Sequence, residues 1–317
     1  MKASKDGKAL KLPAMIYIER GWILVEWLDR MRAPIDYIEA NLDSEIDFVE
    51  VAKKAYCSVF HFHRMFSILT GVTVVEYVRR RRLTLAAQEL MCESTKIIDI
   101  ALKYGYESPD AFTRAFQKTH GVNPSTARES GVKLVAYPRI TFQVILKGGN
   151  DMDYKIIEKD SFIVVGKARK FPTANDEAVK VPEFWGEFKC SGMYGRIVND
   201  LCKGKTGTVT GGESLGICVG EEEGFTYIIG VEKPEGDVPS DLDTITIPAS
   251  TWAIFESVGS MPDAIQILWK RIYEEWFPST GYEQASNTPD FEVYMSGDMD
   301  SDGYHSQIWI PVIKNKK

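Results

Sequence analysis

One short phrase occurs twice in this chain, fifty residues apart, and it constrains the fold more than any other feature. Phe62-His63-Arg64-Met65-Phe66, followed by Gly71-Val72, returns as Phe112-Thr113-Arg114-Ala115-Phe116, followed by Gly121-Val122. Phe62, Phe66 and Leu69 stand at i, i+4 and i+7, as do Phe112, Phe116 and Thr119, which predicts two helices with matching aromatic stripes. Arg64 and Arg114 lie two residues past the first aromatic, roughly 200° around the helix, so the spacing turns both away from the stripe. A short apolar helix is predicted before each copy, over 46–55 and 97–104. The joining turns are Tyr56-Cys57-Ser58 and Gly105-Tyr106-Glu107-Ser108. Helix, tight turn and second helix make a helix-turn-helix, whose second helix has the dimensions to enter a DNA major groove.

The second copy carries Ala101-x3-Gly105-Tyr106-x5-Phe112-x-Arg114-x-Phe116-x4-Gly121-x2-Pro124. With the first copy, and with a connector helix predicted over Val74 to Cys92, this pattern resembles the AraC/XylS family of transcription regulators across about 35–128. Tyr56 stands where the family usually has Gly in the first turn. A tyrosine there implies either a left-handed backbone, which a side chain disfavours, or a modified turn.

The resemblance implies sequence-specific binding to double-stranded promoter DNA, with RNA polymerase as a partner. It places base contacts near the start of each second helix, at Phe60, His63 and Arg64 and at Ser108, Asp110, Ala111 and Arg114. Arginine can bind guanine bidentately, His63 can donate or accept one bond, and Phe60 or Ala111 can touch a thymine methyl. Asp110 would either accept from a cytosine amine or cap its helix, as Ser108 would. The row Arg79-Arg80-Arg81-Arg82 has two readings: phosphate contacts between the reading helices, or a solvated face paired with Glu76.

Charge divides the chain. Residues 1–130 hold 19 Lys and Arg against 17 Asp and Glu, while residues 131–317 hold 19 against 28. The acidic second part is therefore a separate unit, and DNA affinity in the first depends on local placement of arginines. The expected organisation is an N-terminal extension over 1–30, an all-α tandem helix-turn-helix domain over 31–130 and a linker region over 131–152. An α+β domain, built as a duplicated β-α-β-β unit, follows over 153–317. Strands are predicted at Tyr137–Leu146 and, with a break at Lys159-Asp160, at Tyr154–Ala168, with Lys147-Gly148-Gly149-Asn150-Asp151 as the linker.

In that second part, Ile247-Pro248-Ala249-x2-Trp252-Ala253-x-Phe255, Trp276-x-Pro278-x2-Gly281-Tyr282, Phe291-Glu292-x-Tyr294 and Ile308-Trp309-Ile310-Pro311 follow one another in order. Together they resemble the GyrI-like small-molecule-binding domain. That resemblance implies a pocket between the two halves for a small organic effector, of a lipophilic and cationic kind, with Glu292 as its acid. The candidate walls are Trp185, Phe225, Tyr227, Trp252, Trp269, Tyr282 and Tyr294. An acid among aromatic rings suits a cation. Read from the strand alternation alone, Glu292 is equally a surface residue.

Neither a signal-peptide pattern nor an 18-residue apolar run is present, so cytoplasmic residence is expected and no membrane partner. The five cysteines contain no C-x-x-C pair, and His61 and His63 at i, i+2 point to different helix faces, so no metal or cofactor is expected. Nor is there a Ser/His/Asp or Cys/His set, and the chain is not expected to be an enzyme. Two alternatives stay open: hydrolysis of electrophilic small molecules by Glu292 with Tyr294 or Tyr282, and DNA binding without any ligand.

Overall fold

The computed structural model describes residues 31–92, 95–129, 131–141, 151–171, 181–201, 207–221, 224–285 and 288–314. The extension over 1–30 and the Gly148-Gly149 part of the expected linker lie outside them. The described residues begin in a helix, α1, over 31–40. There follow α2 (Phe48–Lys54), α3 (Val59–Thr70), α4 (Val74–Cys92), α5 (Ile97–Lys103) and α6 (Pro109–His120).

The repeat extends to the ends of its helices. Ser58 and Ser108 cap α3 and α6, their hydroxyls accepting from the His61 and Ala111 amides at 3.2 Å. Gly71 and Gly121 close the same helices in left-handed geometry, with φ of 72° and 77°. The turns match as well: the Cys57 amide donates to the Ala52 carbonyl, and the Tyr106 amide to the Ala101 carbonyl. At the residue before each donor the backbone is left-handed, with φ of 55° at Tyr56 and 80° at Gly105. Tyr56 thus keeps the shared turn and adopts the disfavoured conformation, its ring exposed.

The arginine row of α4 is engaged within the protein. Arg79 and Arg80 both pair with Glu76. Arg81 grips Glu39 of α1 through two bonds of 2.8 and 2.7 Å. Arg82 donates to the Leu42 and Ser44 carbonyls at 2.8 and 2.6 Å, finishing the chain after α1. For Arg81 and Arg82 the phosphate reading is corrected to a structural one, because their donors hold α1 against α4. Residues 131–141 are strapped along the same helix: the Tyr137 amide donates to Thr84 Oγ1 and its carbonyl accepts from Arg81. The strand predicted from Tyr137 is not formed over 137–141; its remainder lies outside the described residues.

The second unit is a single antiparallel sheet with helices on one face. Its strands are β1 (Tyr154–Lys159), β2 (Phe162–Phe171), β3 (Ser214–Glu221), β4 (Gly224–Glu232), β5 (Asp243–Ile247), β6 (Ser250–Val258), β7 (Tyr282–Gln284), β8 (Asp290–Tyr294) and β9 (His305–Lys314). The order β1-β6-β9-β8-β3-β4-β2-β5, with β7 beside β9, is two like halves meeting at β8 and β3. Each half lends its first strand to the other: β1 pairs with β6, and β5 with β2. The stretch Tyr154–Ala168, expected as one interrupted strand, is therefore two strands far apart in the sheet, β1 at one edge and β2 next to the other. Helices α7 (Val181–Cys190) and α8 (Asp263–Arg271) belong to one half each, and α8 runs on as a wider turn over Ile272–Trp276.

The two helix-turn-helices belong to different cores. One apolar cluster joins Phe62, Met65 and Phe66 of α3 to Ile265, Leu268 and Trp269 of α8, so the first helix-turn-helix and the second unit share a core. The second helix-turn-helix has its own, around Leu83, Ile100, Phe112 and Phe116.

Candidate functional site

The site begins with the pleat of β8. Period-two alternation puts Asp290, Glu292 and Tyr294 on one face and Phe291 and Val293 on the other, where they pack with Trp252 and Trp309. Glu292 is buried, 8% exposed, yet well supplied with donors. Trp269 Nε1 of α8 donates to its Oε1 at 2.7 Å, and the Tyr294 hydroxyl donates to its Oε2 at 2.5 Å. The Tyr227 hydroxyl of β4 stands 3.5 Å from Oε2 and accepts from Trp185 Nε1 of α7 at 3.2 Å. The Trp185 ring meets Tyr294 edge-on with centroids 4.9 Å apart. Burial, then the neighbouring Glu292 charge, hold the Tyr227 and Tyr294 hydroxyls well above the ordinary range, so both stay protonated donors. Acid, donors and indole walls thus come from both halves, through α7, α8, β4 and β8.

Two glycines make room for the site, and sequence reasoning missed both. Gly216 of β3 pairs with Glu292 across the join of the halves. A Cβ there would lie 2.1 Å from the Tyr227 hydroxyl, so only glycine lets that hydroxyl reach the acid. Gly220, four residues on, would meet the Phe60 side chain of α3 at 3.0 Å.

A third missed residue is Asp290, 2% exposed and on the same face as Glu292. Its partner is Arg64. The Arg64 guanidinium forms an ion pair with Asp290 Oδ1, lies 3.9 Å from Glu292 Oε1, and sits over the Trp269 ring at 4.2 Å from its centroid. The other Asp290 oxygen accepts from Gln284 Nε2 at 2.9 Å. Burial opposes the Arg64 charge, but Asp290 outweighs it and the guanidinium stays charged. His61, one turn before Arg64, is buried 3.8 Å from Asp290; burial, reinforced by Arg64, holds its ring below the usual imidazole range. A cleft of about 900 Å³ runs between α2–α3 and β3, lined in part by Cys57, Phe60, His61, Gly220 and Asp290.

The residues expected to read DNA are therefore in two different settings. Phe60 is buried against Phe225, centroids 5.1 Å apart, and Phe225 stacks on Phe171. In this conformation Phe60 faces protein, not solvent, and Phe225 serves the seam with α3 rather than the surroundings of Glu292. His63 is half-buried against the Phe48 ring. In the second helix-turn-helix Asp110 and Arg114 are exposed, Ala111 is half-buried, and Ser108 acts as the helix cap.

Among the expected pocket walls, Trp185, Tyr227, Trp269 and Tyr294 surround Glu292. Two others do not. Trp252 lies on the opposite face of the sheet, because its position in β6 shares the side of Phe291 and Trp309. Tyr282 stacks on Trp276 at 5.7 Å and closes the apolar core there. Among the described residues no group of three His, Cys, Asp or Glu side chains is placed to hold a metal ion. No helix among them is long and apolar enough to cross a membrane.

Comparison with known proteins covers both units. Residues 155–312 match the Cass2 model, described as an integron-associated effector binding protein, and residues 51–130 match a helix-turn-helix domain model. The chain is 44% identical over 94 residues to the transposon Tn10 TetD protein of Escherichia coli, covering 30% of this chain and 68% of that protein. It is 37% identical over 108 residues to the probable transcription factor PqrA of Proteus vulgaris, covering 34% and 82%. With the transcriptional regulator Rob of Salmonella typhimurium it shares 39% over 94 residues, only 32% of that protein's length. Among solved structures, a putative transcription regulation protein of Staphylococcus aureus aligns over 51% of this chain and 99% of its own, at 26% identity and a TM-score of 0.43. The chain belongs to the AraC/XylS-type transcription regulators, and joins their sequence-specific DNA-binding helix-turn-helix domain to a Cass2/GyrI-like effector-binding domain.

Proposed function

We propose that this regulator binds a lipophilic organic cation beside Glu292 and Asp290, and that occupancy of this site sets its action on RNA polymerase at a promoter. The observation that carries the reading is the buried Glu292 carboxylate, held by Trp269, Tyr294 and Tyr227 and walled by indole rings. Buried negative charge is costly unless a positive partner is near, and aromatic faces add attraction for a desolvated cation of about 2 kcal/mol. Donors that fix the carboxylate also keep it from turning away to water.

On DNA, Arg64 and Arg114 are proposed to read bases, with Phe60, His63, Asp110 and Ala111 beside them. Arg79 and Arg80, whose side chains are each 39% exposed, are proposed to reach phosphates. A ligand controls such a protein only through unequal affinity for two of its states.

Titration of the full chain with tetraphenylphosphonium, followed by thermal melting, tests the effector site. The cation should raise the melting temperature of the wild type, and Glu292→Gln should bind it at least tenfold more weakly. Equal binding by wild type and Glu292→Gln would remove the site from this place. Selection of sites from random DNA in the presence of the cation should return two separated base-specific elements, one for each helix-turn-helix.

A further inference from the structure

We propose that Arg64 is a tethered occupant of the effector site, and that an organic cation activates DNA reading by taking the place of its guanidinium and so releasing α3. The proposal rests on the effector site described above and adds the means of its regulation.

The internal repeat supplies a control for the argument. Arg64 and Arg114 hold the same position in two copies of one motif, with the same caps at both helix ends. Arg114 is exposed, whereas the Arg64 side chain is 17% exposed. Nothing in the helix-turn-helix itself requires this arginine to be covered, because the second copy folds with it free in solvent. The charged and aromatic partners that cover Arg64 are Asp290, Glu292 and Trp269, which belong to the other domain.

The chemistry of the seat is that of a cation receptor already filled. A guanidinium is planar and weakly hydrated, and it pairs with carboxylates while lying on an indole face. Asp290 supplies the pair, Trp269 the face at 4.2 Å, and Glu292 a second negative charge at 3.9 Å. Two nearly buried carboxylates on one face of β8 are unfavourable with no cation between them. Withdrawing Arg64 alone leaves that charge unpaired; exchanging it for another cation does not. The exchange thereby links ligand binding to release of the helix.

Apart from the core that Phe62, Met65 and Phe66 share with α8, the α3 contact suits a reversible latch. Phe60 packs on Phe225 over the Cβ-free surface of Gly220. Together Phe60 and Arg64 are two of the three side chains with which α3 is expected to read bases. While they are held by the effector domain they cannot enter a major groove. The second reading helix, α6, is not held in this way. Closed, the protein presents one reading helix to DNA; with the cation bound, it presents two.

Calorimetric titration of the full chain with tetraphenylphosphonium, alongside amide hydrogen exchange, tests this. Arg64→Met keeps the bulk of the side chain and removes the tethered charge, so it should bind the probe at least tenfold more tightly than wild type. In the wild type, saturating probe should raise exchange across 59–70 and leave 109–120 unchanged. If Arg64→Met folds poorly, Gly220→Val, which touches neither carboxylate, should show the same tightening. The proposal is overturned if both variants bind no tighter and exchange across 59–70 is unmoved, while Glu292→Gln still loses binding. In that outcome the effector site stands and the exchange with Arg64 does not. If wild type, Arg64→Met and Gly220→Val all fail to bind, the effector site itself is wrong and the proposal goes with it.

Discussion

Gly220→Val separates the latch from everything else the protein does. Gly220 lies in β3, opposite Phe225, and its missing side chain is filled by Phe60, whose Cβ and Cδ1 would stand 3.0 Å and Cγ 3.1 Å from an added Cβ. A Cβ contact that short cannot be relieved by swinging the far end of a flexible chain, because two of the three atoms are at the root of the Phe60 side chain. Valine adds two further carbons and is at home in a strand, so the sheet should keep its register. Overpacking of this kind costs about 1–3 kcal/mol. Here the cost falls on the closed form alone, since withdrawing α3 relieves it. A coupling of that size shifts the closed-to-open ratio by about 5–150-fold. Fluorescence anisotropy with a DNA site recovered by selection should therefore show tighter binding in Gly220→Val without any ligand, and a smaller further gain on adding tetraphenylphosphonium. Thermal melting of the second domain should move little. Unchanged DNA affinity in a folded Gly220→Val protein would refute the reasoning, because the clash would then be absorbed without opening the seam.

Three other outcomes follow from particular residues. Arg114→Ala should weaken binding to the selected site by about 1–3 kcal/mol and relax base preference in one element only, as read by competition with single-base variants; equal losses on random DNA would assign Arg114 to phosphates. Tyr56→Gly should raise the stability of the first helix-turn-helix by up to about 1 kcal/mol, since relief of the left-handed strain exceeds the added freedom of the unfolded chain, whereas Tyr56→Val should destabilise it in denaturant titrations. The Glu39 carboxyl is raised by burial, but bonds from Arg81 and Tyr77 outweigh this and hold it below the ordinary 4.5. Its contribution is thus present in full above about pH 4.5 and is lost as the pH falls through the lowered value. Melting of Glu39→Gln should accordingly depend less on pH between 5 and 3 than melting of wild type.

The duplicated helices were legible because their signals are local. Ser58 and Ser108, Gly71 and Gly121, and the paired phenylalanines each act within a turn or two of chain. Tyr56 could be read as a left-handed residue from the single missing glycine. In the second domain the four ordered motifs placed Glu292 among aromatic rings, and four of the seven expected walls are there. Trp252 and Tyr282 were misplaced because an aromatic residue suits a core as well as a pocket, and only strand register decides which face it takes. Asp290 was within reach of sequence reasoning, since period two from Glu292 puts it on the same face. The engagement of Arg64 was not. Local periodicity shows that a side chain points outward from its own helix, and cannot show that another domain, some 226 positions along the chain, waits there with a carboxylate. Arg81 and Arg82 were hidden for the same reason, their partners being 38 to 42 residues away in and after α1.

Hydroxyl-radical footprinting of the full chain on a selected DNA site, with and without tetraphenylphosphonium, bears most directly on the claim that one reading helix is held by the effector domain while the other is free. Without the cation, only the element read by α6 should be protected; with it, protection should extend to the element read by α3. Equal protection of both elements in the absence of the cation would contradict the account.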